Sequence, residues 1–390
     1  MTTDAAPVAN GASGASAFAP ERPEDRWFMA AAIRYAMRHV GRTGTNPSVA
    51  TLIVRNDGEG PRIVGRGVTA LGGRPHAEAG ALAEAGELAR GATAYVTLEP
   101  CAHHGRTPPC AEALVRAGIA RVVSAAADPD PRVDGKGHQM LMAGGVAVTR
   151  RVMEREAART IEGYLTRHRR GRPGVTLKMA LSRDGRIGIR GGGQVKITGP
   201  VSDAQTHLVR ARHDAILVGA GTALEDDPRL DCRLPGMAGR SPARIILDPN
   251  LRTSPEMTVA RTARSVPTMI ATFETSDPQR QAALAEAGVT FVACVADPAS
   301  GRVALPELLE DLAATGITSI LVEGGANIAA SFLADGLVDR LILVEGAVEI
   351  GEAGIVPPLD VAAARSRYRL LRQDVFGADT WFDFACEEIV

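Results

Sequence analysis

The chain has 390 residues, 45% of them hydrophobic and 23% charged, which is enough for two ordinary domains with separate cores. A formal net charge of -1 provides no global field toward nucleic acid or an anionic membrane. No apolar run approaches the roughly 20 residues that a membrane helix requires.

Residues 1–25 are rich in Ala, Ser, Gly and Pro and lack the basic start and apolar centre of a secretory signal, so they read as a disordered tail. Helical spacing of apolar residues over 26–40 predicts a first helix with Asp25 as its N-cap and Gly41 as its stop. A buried strand follows at 49–55, a helix at 76–90, a strand at 93–98, a helix at 108–118 opened by two prolines, and a strand at 120–127. A charged helix at about 152–169 runs into "RHRRGRPG" (167–174), the predicted domain boundary. Beyond it strands are expected at 175–181, 214–219, 243–248, 268–273, 289–295 and 319–325. Helices are expected near 201–212, 278–287, 305–314 and 326–335, so the rhythm is α/β throughout.

The five cysteines (101, 110, 232, 294 and 386) are an odd count without disulfide-like clustering, which favours a reducing cytoplasm. Cys232, Cys294 and Cys386 read as structural thiols. Cys101 and Cys110 bracket "AHHGRTPP", and His103 and His104 between them look at first like their partners in a metal site. The spacing argues otherwise, because no second ligand pair follows in the compact form of a structural zinc finger. Upstream, His76 and Glu78 form H-x-E, and "EPC" at 99–101 opens the cysteine segment. That combination marks zinc deaminases, in which the glutamate moves protons and is not a ligand, although eight residues separate the cysteines here in place of two. Two thiolates and an imidazole leave a fourth zinc position for water, whose acidity the metal raises. Glu78 is then the candidate acid/base, while His103 and His104 fall to pocket residues.

With "TLEPCAHHGRTPPC", "TGTNPSVATLIV", "DPDPRVDGKG", "VTLKMALSRDGRI", "VGAGTALEDDPRLDCR" and "LVEGGANIAASFL" in hand, the chain resembles the bifunctional deaminase–reductase family of riboflavin biosynthesis over about residues 26–350. The resemblance implies a cytidine-deaminase-like three-layer domain at 26–170 and a dihydrofolate-reductase-like α/β domain at 171–390. It also implies one zinc per chain on His76, Cys101 and Cys110, NADPH in the second half, and a homodimer. The expected substrate is a phosphorylated aminopyrimidine, first deaminated and then reduced from the ribosyl to the ribityl side chain. Asn46, Arg106, Asp128 and Asp130 are implied around it in the first half, and Lys178, Gln194, Arg210, Leu230, Arg233 and Glu323 in the second. Ala180, Lys196, Thr222, Asp226, Gly325, Ala326 and Asn327 are implied at the cofactor.

Read without the resemblance, Asn46-Pro47, "DPDP" and "EGG" are ordinary turns, and no G-x-G-x-x-G fingerprint follows any strand. Several positions depart from the family pattern: Thr69 stands for a histidine, Ala50 for a glycine, Arg183 for a leucine and Lys196 for a tryptophan. These departures leave open a paralogue with a working deaminase and an altered or inactive reductase half. A zinc-stabilised binding protein with an idle Glu78 is a further alternative. A nucleic-acid base deaminase is disfavoured by the near-neutral charge and an aromatic content of only 4%.

Overall fold

The computed structural model describes residues 18–105, 108–193, 195–274, 276–298 and 300–386, and it folds around two sheets that follow one another in the chain. The first half contains α1 (Asp25–Ala36), β1 (Ala50–Asn56), β2 (Pro61–Val68), α2 (Ala77–Ala85), β3 (Thr93–Leu98) and α3 (Cys110–Arg116). It continues with β4 (Arg121–Ala126), α4 (Lys136–Ala143), β5 (Ala147–Thr149), α5 (Glu154–Thr160) and α6 (Glu162–Arg170). The sheet order is β2-β1-β3-β4-β5, antiparallel from β2 to β3 and parallel from β3 to β5. Helix α1 packs with α5, whereas α2 packs with α3 and α3 with α4, so the sheet lies between two helical layers. Burial on both faces explains why β3 and β4 read as continuous apolar runs, not as alternating ones.

Helix α2 carries His76 at its N-cap and Glu78 in its first turn, so its seat on the sheet positions the chemistry. Gly65 and Gly67 on β2 permit that seat, since a Cβ on Gly67 would lie 1.9 Å from the Ala77 carbonyl oxygen and one on Gly65 2.3 Å from that of Ala81. Gly67→Ala is therefore expected to push the amino end of α2 off the sheet. Overpacking of this kind costs about 1–3 kcal/mol, so a lower melting temperature together with reduced zinc content is the expected result of differential scanning and metal analysis.

The second half contains β6 (Gly174–Leu181), α7 (Pro200–Arg210), β7 (Ala215–Gly219), α8 (Ala220–Asp226), β8 (Ala243–Leu247), α9 (Thr258–Arg261) and β9 (Thr268–Phe273). It ends with α10 (Pro278–Ala287), β10 (Thr290–Cys294), α11 (Leu305–Ala314), β11 (Ser319–Glu323), α12 (Ala326–Ala334), β12 (Arg340–Glu345), α13 (Val361–Arg367), β13 (Arg369–Phe376) and β14 (Asp379–Ala385). Its nine-stranded sheet has the order β10-β9-β8-β7-β11-β6-β12-β14-β13, parallel except at β14 and β13. The carboxyl ends of β7, β11, β6 and β12 stand side by side, the edge at which α/β sheets place their ligands. Among the described residues no helix is long and apolar enough to cross a membrane.

Several expectations are corrected. The first helix ends at Ala36, short of residue 40, and the helix expected over 152–169 is two, broken at Ile161. Asp25 does not cap α1, because it is the first helical residue and its carboxylate is buried. That carboxylate accepts hydrogen bonds at 2.7 Å from both Arg121 Nη1 and Nη2, and at 3.0 Å from the Tyr95 hydroxyl. Of the tail expected over 1–25, residues 18–25 pack on this domain: Ala19 N–H donates to Val148 O, Arg121 donates to Pro20 O, and Arg150 lies over the Phe18 ring.

Candidate active sites

His76, Cys101 and Cys110 offer ligand atoms that all lie within 4.8 Å of one another. His76 Nδ1 is 3.7 Å from Cys101 Sγ and 3.5 Å from Cys110 Sγ, and the Cys110 N–H donates to Cys101 Sγ at 3.3 Å. The three come from separate places: the N-cap of α2, the loop after β3 and the first residue of α3. Positive helix ends beside sulfur favour thiolate. The hydrogen bond with Cys110 and then His76 draw the Cys101 thiol down to about 4 against its burial, while the hydrogen bond to Cys101 and burial push Cys110 far up. One thiolate therefore makes the second costly, and a dication between them removes that cost. Two sulfurs and one nitrogen with room for a further ligand are the donor set of a catalytic zinc. His103 and His104 line the same cavity and are not part of this cluster.

Glu78 is 4% exposed, and burial followed by the neighbouring Cys101 charge raises its carboxyl above the ordinary range. The cavity beside it has a volume of about 910 Å³. Asn46, Asp128 and Asp130 all reach its wall, and all three are already engaged by the protein. Asn46 Nδ2 donates to Gly73 O at 3.0 Å, and Thr69, standing where a histidine is usual, ties its hydroxyl to the Val49 N–H. Asp128 is buried and accepts from the Tyr164 hydroxyl at 2.8 Å, and burial raises its carboxyl. Asp130 is held by Arg132 at 2.5 Å, which draws it down to about 2, so it faces the cavity as an ion pair and not as a free carboxylate. Arg106 and Gln194 lie outside the described residues.

Sequence reasoning missed Arg74, Tyr164, Arg167 and His168, which complete this wall, and Glu310, Ala313 and Ala314 of α11, which bring the second half against it. No local pattern signals them, because only tertiary packing brings them to the wall. His103 does carry a signal of its own: its Nδ1 is buried with no hydrogen-bond partner among the described residues.

In the second half Lys178 and Glu323 are register partners on β6 and β11. Arg210 reaches Glu323 from the end of α7 with two parallel hydrogen bonds, at 2.8 and 2.7 Å. Burial opposes the charge on Glu323, but Arg210 and then Lys178 hold it down to about 2. Burial lowers Lys178, whose ammonium lies 5.9 Å from the centre of the Trp381 ring. Gly325 N–H donates to Thr222 Oγ1 at 3.2 Å, joining the turn before α12 to the start of α8. Ala326 and Asn327 open α12, Asp226 closes α8, and Ala180 lies near the end of β6. Arg233 is paired with Asp231, whose carbonyl accepts from Arg210. Two residues depart from expectation. Leu230 is 3% exposed and packed in an apolar cluster with Ile216, Ile246 and Leu321, so its side chain offers substrate almost no surface. Lys196 is 70% exposed and paired with Asp203, a salt bridge in place of an aromatic wall.

Comparison with known proteins covers both halves. Residues 22–126 match the cytidine and deoxycytidylate deaminase zinc-binding region, and residues 173–381 match the RibD C-terminal domain. The chain is 40% identical to the riboflavin biosynthesis protein RibD of Bacillus amyloliquefaciens, over 84% of this chain and 85% of that protein. It is 39% identical to that of Escherichia coli, over 82% and 87%. Among solved structures, Acinetobacter baumannii RibD superposes with a TM-score of 0.79 at 35% identity, covering 93% of this chain and 98% of the other. A Thermotoga maritima diaminohydroxyphosphoribosylaminopyrimidine deaminase/5-amino-6-(5-phosphoribosylamino)uracil reductase superposes at 0.78 with 30% identity and the same coverage.

Proposed function

The chain belongs to the RibD family of bifunctional riboflavin-biosynthesis proteins, and from that premise we propose how its own residues divide the two reactions. It is a zinc-dependent deaminase and an NADPH-dependent reductase acting on a small phosphorylated pyrimidine. The resemblance spans both halves, and nothing in it favours the paralogue with an altered reductase. We divide the chain into a deaminase at 26–170 and a reductase at 171–390, and place it in the cytoplasm as a homodimer.

In the deaminase, His76, Cys101 and Cys110 hold the zinc, which when bound supplies a Lewis acid that makes water acidic near neutrality. Hydrolysis exchanges the ring amino group for oxygen and releases ammonia, so a proton must reach the ring nitrogen and another the departing amine. Glu78 serves both, because its buried, raised carboxyl can take a proton from water and give it up again. Asp128, kept in place by Tyr164, and Asn46 read the ring edge, and His103 Nδ1 is available as a further polar contact. Arg74 and Arg167, together with Arg106, meet the substrate phosphate. The observation that carries this reading is Glu78 buried beside a compact His/Cys/Cys cluster in a cavity with basic residues on its wall.

Ammonia release by the zinc-loaded chain from the diaminopyrimidine phosphoribosyl substrate tests it. Arg167→Ala is expected to raise KM about tenfold or more on the phosphorylated substrate and to leave turnover of its dephosphorylated form unchanged. An equal change on both would remove Arg167 from the phosphate.

In the reductase, Gly325, Ala326 and Asn327 with Thr222 and Asp226 form the cofactor cradle at the start of α12, with Ala180 and Lys196 beside it. Lys178 and the Arg210–Glu323 pair orient the ribosyl side chain, flanked by Arg233 and by the backbone at Leu230, for the hydride that NADPH supplies.

A further inference from the structure

A second cavity, of about 380 Å³, lies between the two halves at the amino ends of β6, β11 and β12, opposite the edge assigned to NADPH. Its wall carries Arg155, Arg159, Arg212, Arg340, Arg369 and Arg372 against three acids, Glu162, Asp214 and Asp383. Two of the acids are already committed. Asp214 accepts from the Thr318 N–H and hydroxyl and from the Ser319 N–H, and Asp383 takes both arms of Arg340. Burial pushes the third, Glu162, up to about 7, which lessens its repulsion of an anion. Arg159 and Arg212 have no carboxylate within ion-pair distance among the described residues. Desolvation at the seam and then the like charges of Arg340, Arg372 and Arg240 push the Arg212 guanidinium down. Clustered like charges are relieved when an anion enters between them, and guanidinium forks suit phosphate oxygens. The described residues assigned above to zinc, to the substrate phosphate and to NADPH lie outside this cavity.

We propose that this cleft binds a small phosphorylated anion carrying two or more negative charges, held between Arg159 of the deaminase half and Arg212 of the reductase half. Its volume is within the range of small-molecule sites. Asn46, Pro47 and Tyr164 line both this cleft and the deaminase cavity, so an anion here touches the reverse side of the substrate loop. That contact couples anion binding to deamination, and this coupling, unlike the binding itself, rests on the deaminase reading above.

The test is calorimetric titration of inorganic pyrophosphate into the zinc-loaded full chain saturated with NADPH. The expected result is a pyrophosphate site that Arg159→Ala/Arg212→Ala weakens at least about tenfold and Arg167→Ala does not. Unchanged zinc content and unchanged ammonia release without pyrophosphate show that the double variant is folded. Pyrophosphate is further expected to shift the KM for deamination in the native chain and not in the double variant. No binding, or equal binding by native chain and double variant, overturns the site. Binding without any shift in KM overturns the coupling and leaves the deaminase assignment standing, whereas loss of ammonia release from the native chain itself would strike the assignment alone.

Discussion

Glu78→Gln is expected to hold zinc as the native chain does and to release ammonia roughly a hundred to ten thousand times more slowly. The expectation follows from position. Glu78 sits one helical residue beyond Ala77, on a helix whose N-cap is the ligand His76, so its carboxyl is fixed beside the metal without being one of the three clustered ligands. Glutamine preserves the volume and the buried polar contact but cannot cycle a proton between water and the leaving nitrogen. Metal content is the control, because loss of zinc would mean that the substitution disturbed the site and not the proton path. Full activity with zinc in place would leave Glu78 idle and favour a zinc-stabilised binding protein.

The second large effect is expected at the Arg210–Glu323 pair. Both side chains are mostly covered, 13% and 15% exposed, and their geometry is bidentate. Arg210→Ala leaves Glu323 facing Lys178 alone, and removing one partner of a buried pair costs about 3–5 kcal/mol. NADPH oxidation should fall steeply while ammonia release continues, since the pair belongs to the reductase sheet. The acid limb of stability should change as well. Glu323 titrates near 2 in the fold against an ordinary 4.5, so its contribution is present above the ordinary value and is lost as pH falls toward 2. Melting curves between those values should show that loss in the native chain and a weaker one in Arg210→Ala. An acid limb of the same depth in both would contradict the assignment of Glu323 to this pair.

What the sequence disclosed follows from where the signals are stored. His76, Glu78, Cys101 and Cys110 were legible because zinc chemistry fixes residue types at short spacings, and the structure brings the three ligand atoms within 4.8 Å of one another. Most of the parallel strands were legible for a similar reason, since burial on both faces writes a continuous apolar run, although β5 and β12 went unforeseen. β2 and β13 were not. β2 reads "PRIVGRGV", with glycines where α2 presses on it, and β13 is half exposed at the sheet edge, so neither forms an apolar run. Arg74, Arg167 and Glu310 were invisible because tertiary packing alone assembles them at one cavity. Leu230 shows the opposite case: the resemblance implies it at the second site, yet its side chain is drawn into the core. Lys196, which the resemblance implies at the cofactor, is exposed and paired with Asp203.

One chain is expected to carry out both reactions in sequence at separate sites. The most direct test of this follows ammonia and NADPH together as the zinc-loaded chain acts on the diaminopyrimidine phosphoribosyl substrate. One ammonia released for each NADPH oxidised is the predicted result. In Glu78→Gln both should stop on that substrate, and NADPH oxidation should return when the deaminated pyrimidine is supplied. Ammonia release by the native chain with no NADPH oxidation, even from the deaminated pyrimidine, would contradict it.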